Sequence, residues 1–347
     1  MKVETHLHEG DLGAIAREAA DAEALGYGGV AASETQHNPF LPLVLAAEHS
    51  QRLMLSTSVA IAFPRSPMVT AYEAWDLQRF SHGRLFLGLG TQVKGHNERR
   101  YGIAWSAPGP RLRDYIGALR AIWDCWQNRT PLRYESEHYR LTLMTPAFDP
   151  GPIDHPRIPI AISAINPYLC RLAGEICDGL RLHSFTTPEY LRGQILPNIE
   201  AGLKKSGRKR SEILICGEGF LATGRTEQEV ERAKETVRAR IAFYGSTRTY
   251  HPVLALHGWQ GLGEELHELS LRGGWAEMAR RVPDEVLAAF TTIGTYDEIV
   301  PRLRARYTDL VDVMSFPAEA HTEAEREQLR ALIAEIKSIS GGAEGTT

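Results

Sequence analysis

Leu85-Phe-Leu-Gly-Leu-Gly-Thr-Gln-Val-Lys-Gly-His-Asn-Glu-Arg-Arg-Tyr-Gly102 is the stretch whose reading decides the fold. Its apolar run, Leu85, Phe86, Leu87 and Leu89, is too short for a helix and fits a parallel strand covered on both faces. Gly88 and Gly90 allow another backbone or a ligand to approach closely. Beyond them, Thr91 to Arg100 supplies hydroxyl, amide, ammonium, imidazole and guanidinium groups, where loops after parallel strands carry function.

Working outward, strand-like runs alternate with helix-like runs, the signature of βα units around a parallel sheet. Eight strands are expected: Lys2–Leu7, Gly28–Ser33, Leu53–Ala60, Arg84–Gly90, Ile158–Ser163, Gly179–His183, Glu212–Ala222 and Leu310–Phe316. Leu12, Ile15, Ala16, Ala19 and Ala22 repeat at helical spacing, as do Leu112, Tyr115, Ile116, Leu119, Trp123 and Trp126. Thr226-Glu-Gln-Glu229 and Thr295-Tyr-Asp-Glu298 read as capping boxes, and Thr187 precedes a proline at a first helical position. Eight strands with crossover helices predict an α/β fold of the (β/α)8 TIM-barrel kind, since open doubly wound sheets more often stop at five or six. One domain is expected over residues 1–337. Insertions fall after strands four and seven, at about 131–158 (with a hairpin in Leu132–Leu141) and 245–290, and 338–347 is a flexible tail.

Bulk composition narrows the partners. With 39 Lys and Arg against 43 Asp and Glu, the net charge of −4 offers no global basic field for nucleic acid or an anionic membrane. Four cysteines lie scattered without CxxC spacing, so neither structural disulfides nor a zinc site is expected. No window approaches the 18 apolar residues of a spanning helix and the N-terminus has no secretory pattern, so a cytoplasmic protein is expected.

In a barrel, chemistry collects at the C-terminal ends of the strands. Here those ends hold His6 and His8; then Glu34, Gln36 and His37; then Ser58 and Val59 before Pro64-Arg-Ser-Pro67; then Gly90, Thr91 and Gln92; then Ser163, Ala164, Ile165 and Asn166; and finally His183. His6, His8 and His183 could belong to a metal-dependent barrel hydrolase, but strands four and eight bring no matching ligands, and no metal is expected. Glu34 is either an acid/base group or a structural partner of Arg99 or Arg100. Those arginines in turn suit cofactor anions or tie the loop to the rim equally well. Trp105, in a Gly- and Pro-rich loop, is a candidate pocket wall.

Read in order, these ends resemble the luciferase-like flavin and deazaflavin oxidoreductase superfamily, in particular its coenzyme F420-dependent branch, over residues 1 to about 337. The resemblance rests on Gly26-Tyr-Gly-Gly-Val-Ala-Ala-Ser-Glu34, Thr57-Ser-Val59, Gly83-Arg-Leu-Phe-Leu-Gly-Leu-Gly90, Arg171-Leu-Ala-Gly-Glu-Ile-Cys-Asp-Gly179 and Gly294-Thr-Tyr-Asp-Glu-Ile299. It implies hydride transfer between the deazaflavin and a small organic substrate, with an FMN-dependent monooxygenase as the alternative, and a homodimer. It also implies a non-prolyl cis peptide at Ser58–Val59 behind the tricyclic ring. Gly90, Thr91 and Gln92 flank the ring or its ribityl chain, and the cofactor phosphate rests on amides from Ser163 to Asn166. Glu34 and His37 are then the candidate catalytic pair, and His6, His8, Gln36, Trp105 and His183 the substrate pocket. Two departures stand out. Several deazaflavin relatives have Asp-His where this chain has Glu34-Thr35, and sugar-phosphate-oxidising members have a carboxylate where it has Val93. A sugar phosphate is therefore not expected. A cofactor-binding protein without catalysis is the rival from another class, because fold alone does not guarantee chemistry.

Overall fold

The computed structural model describes residues 1–8, 10–317 and 319–343. Eight parallel strands close on themselves: Lys2–His6, Gly29–Ala32, Met54–Thr57, Leu85–Gly90, Ile160–Ser163, Gly179–Arg181, Leu214–Cys216 and Val313–Ser315, called strands one to eight below. Strand eight returns to strand one in register, Lys2 beside Val313 and Glu4 beside Ser315, so the expected TIM barrel is what forms. The helices behave as their spacing predicts. Pro108–Asn128 buries all six residues of its apolar series, and Thr187, Thr226 and Thr295 each cap a helix N-terminus. Among the described residues no helix is long and apolar enough to cross a membrane.

Strand four shows how the interior is filled. Leu85, Leu87 and Leu89 face the helices, whereas Phe86 points inward with Ala161, Cys216 and Val313. Gly179 makes room for this ring, since a Cβ there would stand 2.6 Å from the Phe86 Cζ. Above Phe86 lies a charged layer in which Arg181 donates to both carboxylate oxygens of Glu4 at 2.6 and 3.1 Å, with its guanidinium 5.8 Å from the Phe86 ring centre. The glycines of the quoted stretch serve the same layer. A Cβ on Gly88 would lie 2.0 Å from the Thr57 carbonyl oxygen and 3.3 Å from the Arg181 Cδ, and one on Gly90 would lie 2.6 Å from a Val59 methyl. The close approach anticipated there is thus made by neighbouring protein groups.

Three elements differ from expectation. Strand three stops at Thr57, turns through Ser58–Val59, and resumes as Ala60–Ile61. The run read as one strand over 212–222 is two. Leu214–Cys216 joins the barrel, the chain turns at Gly217 with φ of 100°, and Phe220–Gly224 pairs with an unanticipated strand, Thr291–Thr295, in a separate parallel sheet. The stretch read as a flexible tail is anchored where it is described. Ile339 is buried, its carbonyl accepts from the Met1 ammonium, and the Ala343 amide donates to Asp312 at 2.6 Å, while 344–347 lie outside the described residues. Within the insertions, a hairpin pairs Tyr134–Glu135 with Arg140–Leu141, and four short helices follow between His251 and Phe290.

Removing one member of a buried ion pair leaves an uncompensated charge, which costs about 3–5 kcal/mol. Arg181→Met is therefore expected to lower unfolding free energy by that amount in urea titrations, whereas the double variant Glu4→Leu/Arg181→Met recovers most of the loss.

Candidate active site

Above the Glu4–Arg181 layer the barrel opens into a cavity of about 1060 Å³ at the C-terminal ends of the strands. Of the residues singled out in the sequence, His6, His8, Gln36, Ser58, Val59, Ser163 and His183 line it. The Ser58–Val59 peptide is cis, so the backbone turns both residues into this wall.

Other candidates are placed elsewhere. Glu34 does not reach the cavity: its carboxylate accepts from Arg65 Nη1 at 2.7 and 2.8 Å and from the Ile61 amide at 2.6 Å. It therefore holds the extension of strand three in place, and its partner is Arg65 rather than Arg99 or Arg100. Arg100 donates to the Thr35 carbonyl at 2.6 Å, joining the loops after strands two and four at the rim. His37 sits in the exposed stretch 35–38 and does not line the cavity. Trp105 is also absent from its walls; beside it, Arg111 donates to the Ala104 carbonyl at 3.2 Å. Gly90, Thr91 and Gln92 stand beside the cis bulge, with Gln92 at φ of 54° and its side chain accepting from the Val93 amide.

After strand five, Ala164 and Ile165 are buried and Asn166 caps the helix Pro167–Ile176, accepting from the Leu169 amide at 3.0 Å. Ser163, one turn earlier, faces the cavity. In the basic run Lys204, Lys205, Arg208, Lys209 and Arg210, three side chains are engaged structurally. Lys205 pairs with Glu175, Arg210 with Asp312, and Arg208 donates to the Gly174, Cys177 and Glu212 carbonyls.

Electrostatics set the protonation of the walls. His183 Nδ1 accepts the Phe185 amide N–H at 3.0 Å, which puts the ring proton on Nε2. The ring packs 4.5 Å from both Tyr244 and Tyr250, and burial pushes its pKa down to about 4. His8 instead pairs with Glu18 at 2.8 Å in solvent. Burial works against the Glu4 carboxylate, but Arg181 outweighs it and holds the group below its usual range. Glu218, which the sequence reading missed, does the opposite. It sits between Gly217 and Gly219, and burial, reinforced by Glu4 and only partly opposed by the Ser315 amide and Arg181, pushes its carboxyl up to about 8. Its signal lay in those flanking glycines, hidden inside a run read as continuous strand. Among the described residues, no group of three or more His, Cys, Asp and Glu could hold a metal ion.

The closed parallel barrel and the cis peptide at Ser58–Val59 are the features that the resemblance in the sequence implied. Residues 2–312 match the luciferase-like monooxygenase family, and the chain belongs to it. An uncharacterised protein of Mycobacterium tuberculosis is 44% identical over 301 residues, covering 86% of this chain and 88% of that one. The 5,10-methylenetetrahydromethanopterin reductase of Archaeoglobus fulgidus is 27% identical, covering 77% of each chain. Among solved structures, the coenzyme F420-dependent tetrahydromethanopterin reductase of Methanopyrus kandleri superposes with a TM-score of 0.76 at 20% identity, covering 98% of both chains. The oxygenating constituent of 3,6-diketocamphane monooxygenase from Pseudomonas putida, in complex with FMN, gives 0.65 at 16% identity, covering 98% of this chain and 99% of that one.

A histidine neutral in the fold and free to charge when unfolded binds fewer protons folded than unfolded between pH 4 and 6.5. The stability it contributes is complete above pH 6.5 and is lost as pH falls through that window, about 2 kcal/mol of it by pH 5. Urea titrations at pH 7 and pH 5 are expected to show this loss in the wild type and a smaller one in His183→Gln.

Proposed function

We propose that this chain is a coenzyme F420-dependent oxidoreductase that transfers a hydride between the deazaflavin and a small organic substrate. The observation that carries this reading is the Ser58–Val59 wall. The cis bulge turns a serine and a valine onto the cavity, and Gly90 leaves room for the valine. Such a wall fits the face of a planar tricyclic ring. Ser163 and the N-terminus of the helix Pro167–Ile176 fit a phosphate, since backbone N–H groups and the positive end of the helix dipole favour an anion without any lysine. The two methanopterin reductases among the similar proteins support the same reading.

The deazaflavin, when bound, supplies a carbon centre that exchanges two electrons and a proton as one hydride. The chain's own residues do the rest. Ser58 and Val59 would back the ring, Gly90, Thr91 and Gln92, beside the bulge, would flank it, and Ser163 to Asn166 would seat the phosphate. His6, Gln36 and His183 bound the substrate side, with the His183 Nε2–H as a donor that orients it. Glu34 is a positioning residue, because it fixes the bulge through Ile61 and Arg65.

An FMN-dependent monooxygenase is the second reading. It is favoured by the structural engagement of Lys205, Arg208 and Arg210, which takes three cations of that run away from an acidic cofactor tail. Fluorescence titration of the purified protein with F420 and with FMN separates the two. The expected outcome is F420 binding at least tenfold tighter, about 1.4 kcal/mol, and FMN binding of equal or greater strength sinks the first reading.

The chain further pairs with a second copy of itself. Leu41 and Val44 on Phe40–Glu48, with Val69 and Phe80 on the neighbouring Pro67–Phe80, leave large apolar side chains 41–54% exposed. Light scattering is expected to give twice the chain mass, falling to the single mass in Leu41→Asp/Val44→Asp. A wild-type monomer at micromolar concentration contradicts the pairing.

A further inference from the structure

We propose that Glu218 is the acid that protonates the substrate as the hydride reaches it, and that the substrate accordingly presents a polarised C=O or C=N bond. This inference rests on the deazaflavin reading above. Glu4 and Glu218 both feel the Arg181 guanidinium, and both accept from Ser315. Each terminal nitrogen of Arg181 donates to Glu4, one to each carboxylate oxygen. Glu218 receives one backbone donor, the Ser315 amide at 2.9 Å on Oε2, and Oε1 has no hydrogen-bond partner among the described residues. With Arg181 committed to Glu4, Glu218 is the carboxyl that lines the cavity without a guanidinium partner, and it is the one that keeps a proton.

The surroundings keep it there. Glu4 and Arg181 face it from strands one and six, and Cys216 precedes it on strand seven. Tyr307 stands behind it, its hydroxyl accepting the Gly219 amide N–H at 3.0 Å. Burial raises the Glu218 carboxyl to about 8, which leaves it protonated and still acidic enough to give up its proton near neutral pH. Glu4 and His183, which line the same cavity, serve less well. Glu4 is ionised and 1% exposed. His183 is neutral, and a neutral imidazole N–H donates a hydrogen bond without being an acid near pH 7.

The step balances. A hydride from a reduced 5-deazaflavin forms a C–H bond on the electrophilic carbon, and the π pair of the C=O or C=N bond moves onto oxygen or nitrogen. That atom takes the Glu218 proton, and the O–H pair stays behind on the carboxylate. Substrate gains two electrons, the deazaflavin loses two, and water returns a proton to Glu218.

The test uses full-length protein, E218Q and E218D, with folding checked by thermal melts. Infrared titration is expected to show a protonated carboxyl band in wild type that disappears as pH rises through about 8 and is missing in E218Q. F420 should bind all three proteins equally. Oxidation of reduced F420 is then followed with cyclohexanone, benzaldehyde and 1-pyrroline. In E218Q kcat should fall on the order of 10²-fold or more and lose its decline above pH 8, with partial recovery in E218D. A carboxyl already ionised at pH 6, an E218Q rate equal to wild type, or no oxidation by any of the three probes would overturn the proposal while leaving cofactor binding intact. Failure of F420 to bind wild type overturns the deazaflavin reading itself, and the catalytic role falls with it.

Discussion

The Glu4–Arg181 pair is the constraint on which the rest of the structure turns. A closed parallel barrel of eight strands has an interior just wide enough to be filled by side chains. Here the lower part is filled by Phe86 among small residues, and the next layer by two opposite charges spanning strands one and six. Burying such a pair gains little net stability over a hydrophobic replacement. Its effect is local: it fixes a charged floor under the mouth and claims one carboxylate completely. Any second carboxyl brought to that floor must then find its own way to remain neutral, as Glu218 does.

That floor also explains the shape of the site above it. Gly88 has no side chain because the Thr57 carbonyl and the Arg181 stem already occupy its space, and Gly90 has none because the Val59 side chain lies there. The bulge after strand three is held from outside by Glu34, whose two oxygens are engaged by Arg65 and the Ile61 amide. Two acidic residues, Glu34 after strand two and Glu218 after strand seven, thus have separate duties. One braces the wall from behind, and the other faces the cavity.

Much of this was legible in the sequence. Short apolar runs alternating with 3.6-periodic segments specify parallel strands and covering helices, and Leu85 to Gly90 could be read almost residue by residue. The capping threonines were equally plain, because a hydroxyl at an N-cap has a local geometric role. What remained hidden depends on contacts distant in the chain. Nothing in Ser-Glu-Thr says that Glu34 meets Arg65, and nothing in Ser-Glu-Thr-Gln-His tells Gln36, which lines the cavity, from His37, which does not. Glu218 escaped because hydrophobic patterning runs through 213–222 with only a glycine pair to mark the break. The strand Thr291–Thr295 carried β-branched residues, but its partner lies about seventy positions earlier.

That small sheet has an architectural consequence. Phe220 pairs with Thr291 and Gly224 with Thr295, so the long excursion between them leaves and rejoins the barrel through adjacent strands. Because closure entropy grows only logarithmically with loop length, such a clamped excursion can lengthen, shorten or change sequence at little thermodynamic cost to the scaffold. Helix Glu227–Gly245, which brings Val237, Arg240 and Tyr244 to the cavity, belongs to this exchangeable module, whereas Glu218 lies on the barrel side of the clamp. The fold therefore separates heredity of chemistry from heredity of specificity: a lineage can replace the roof over the substrate while the acid beneath it stays where the barrel put it.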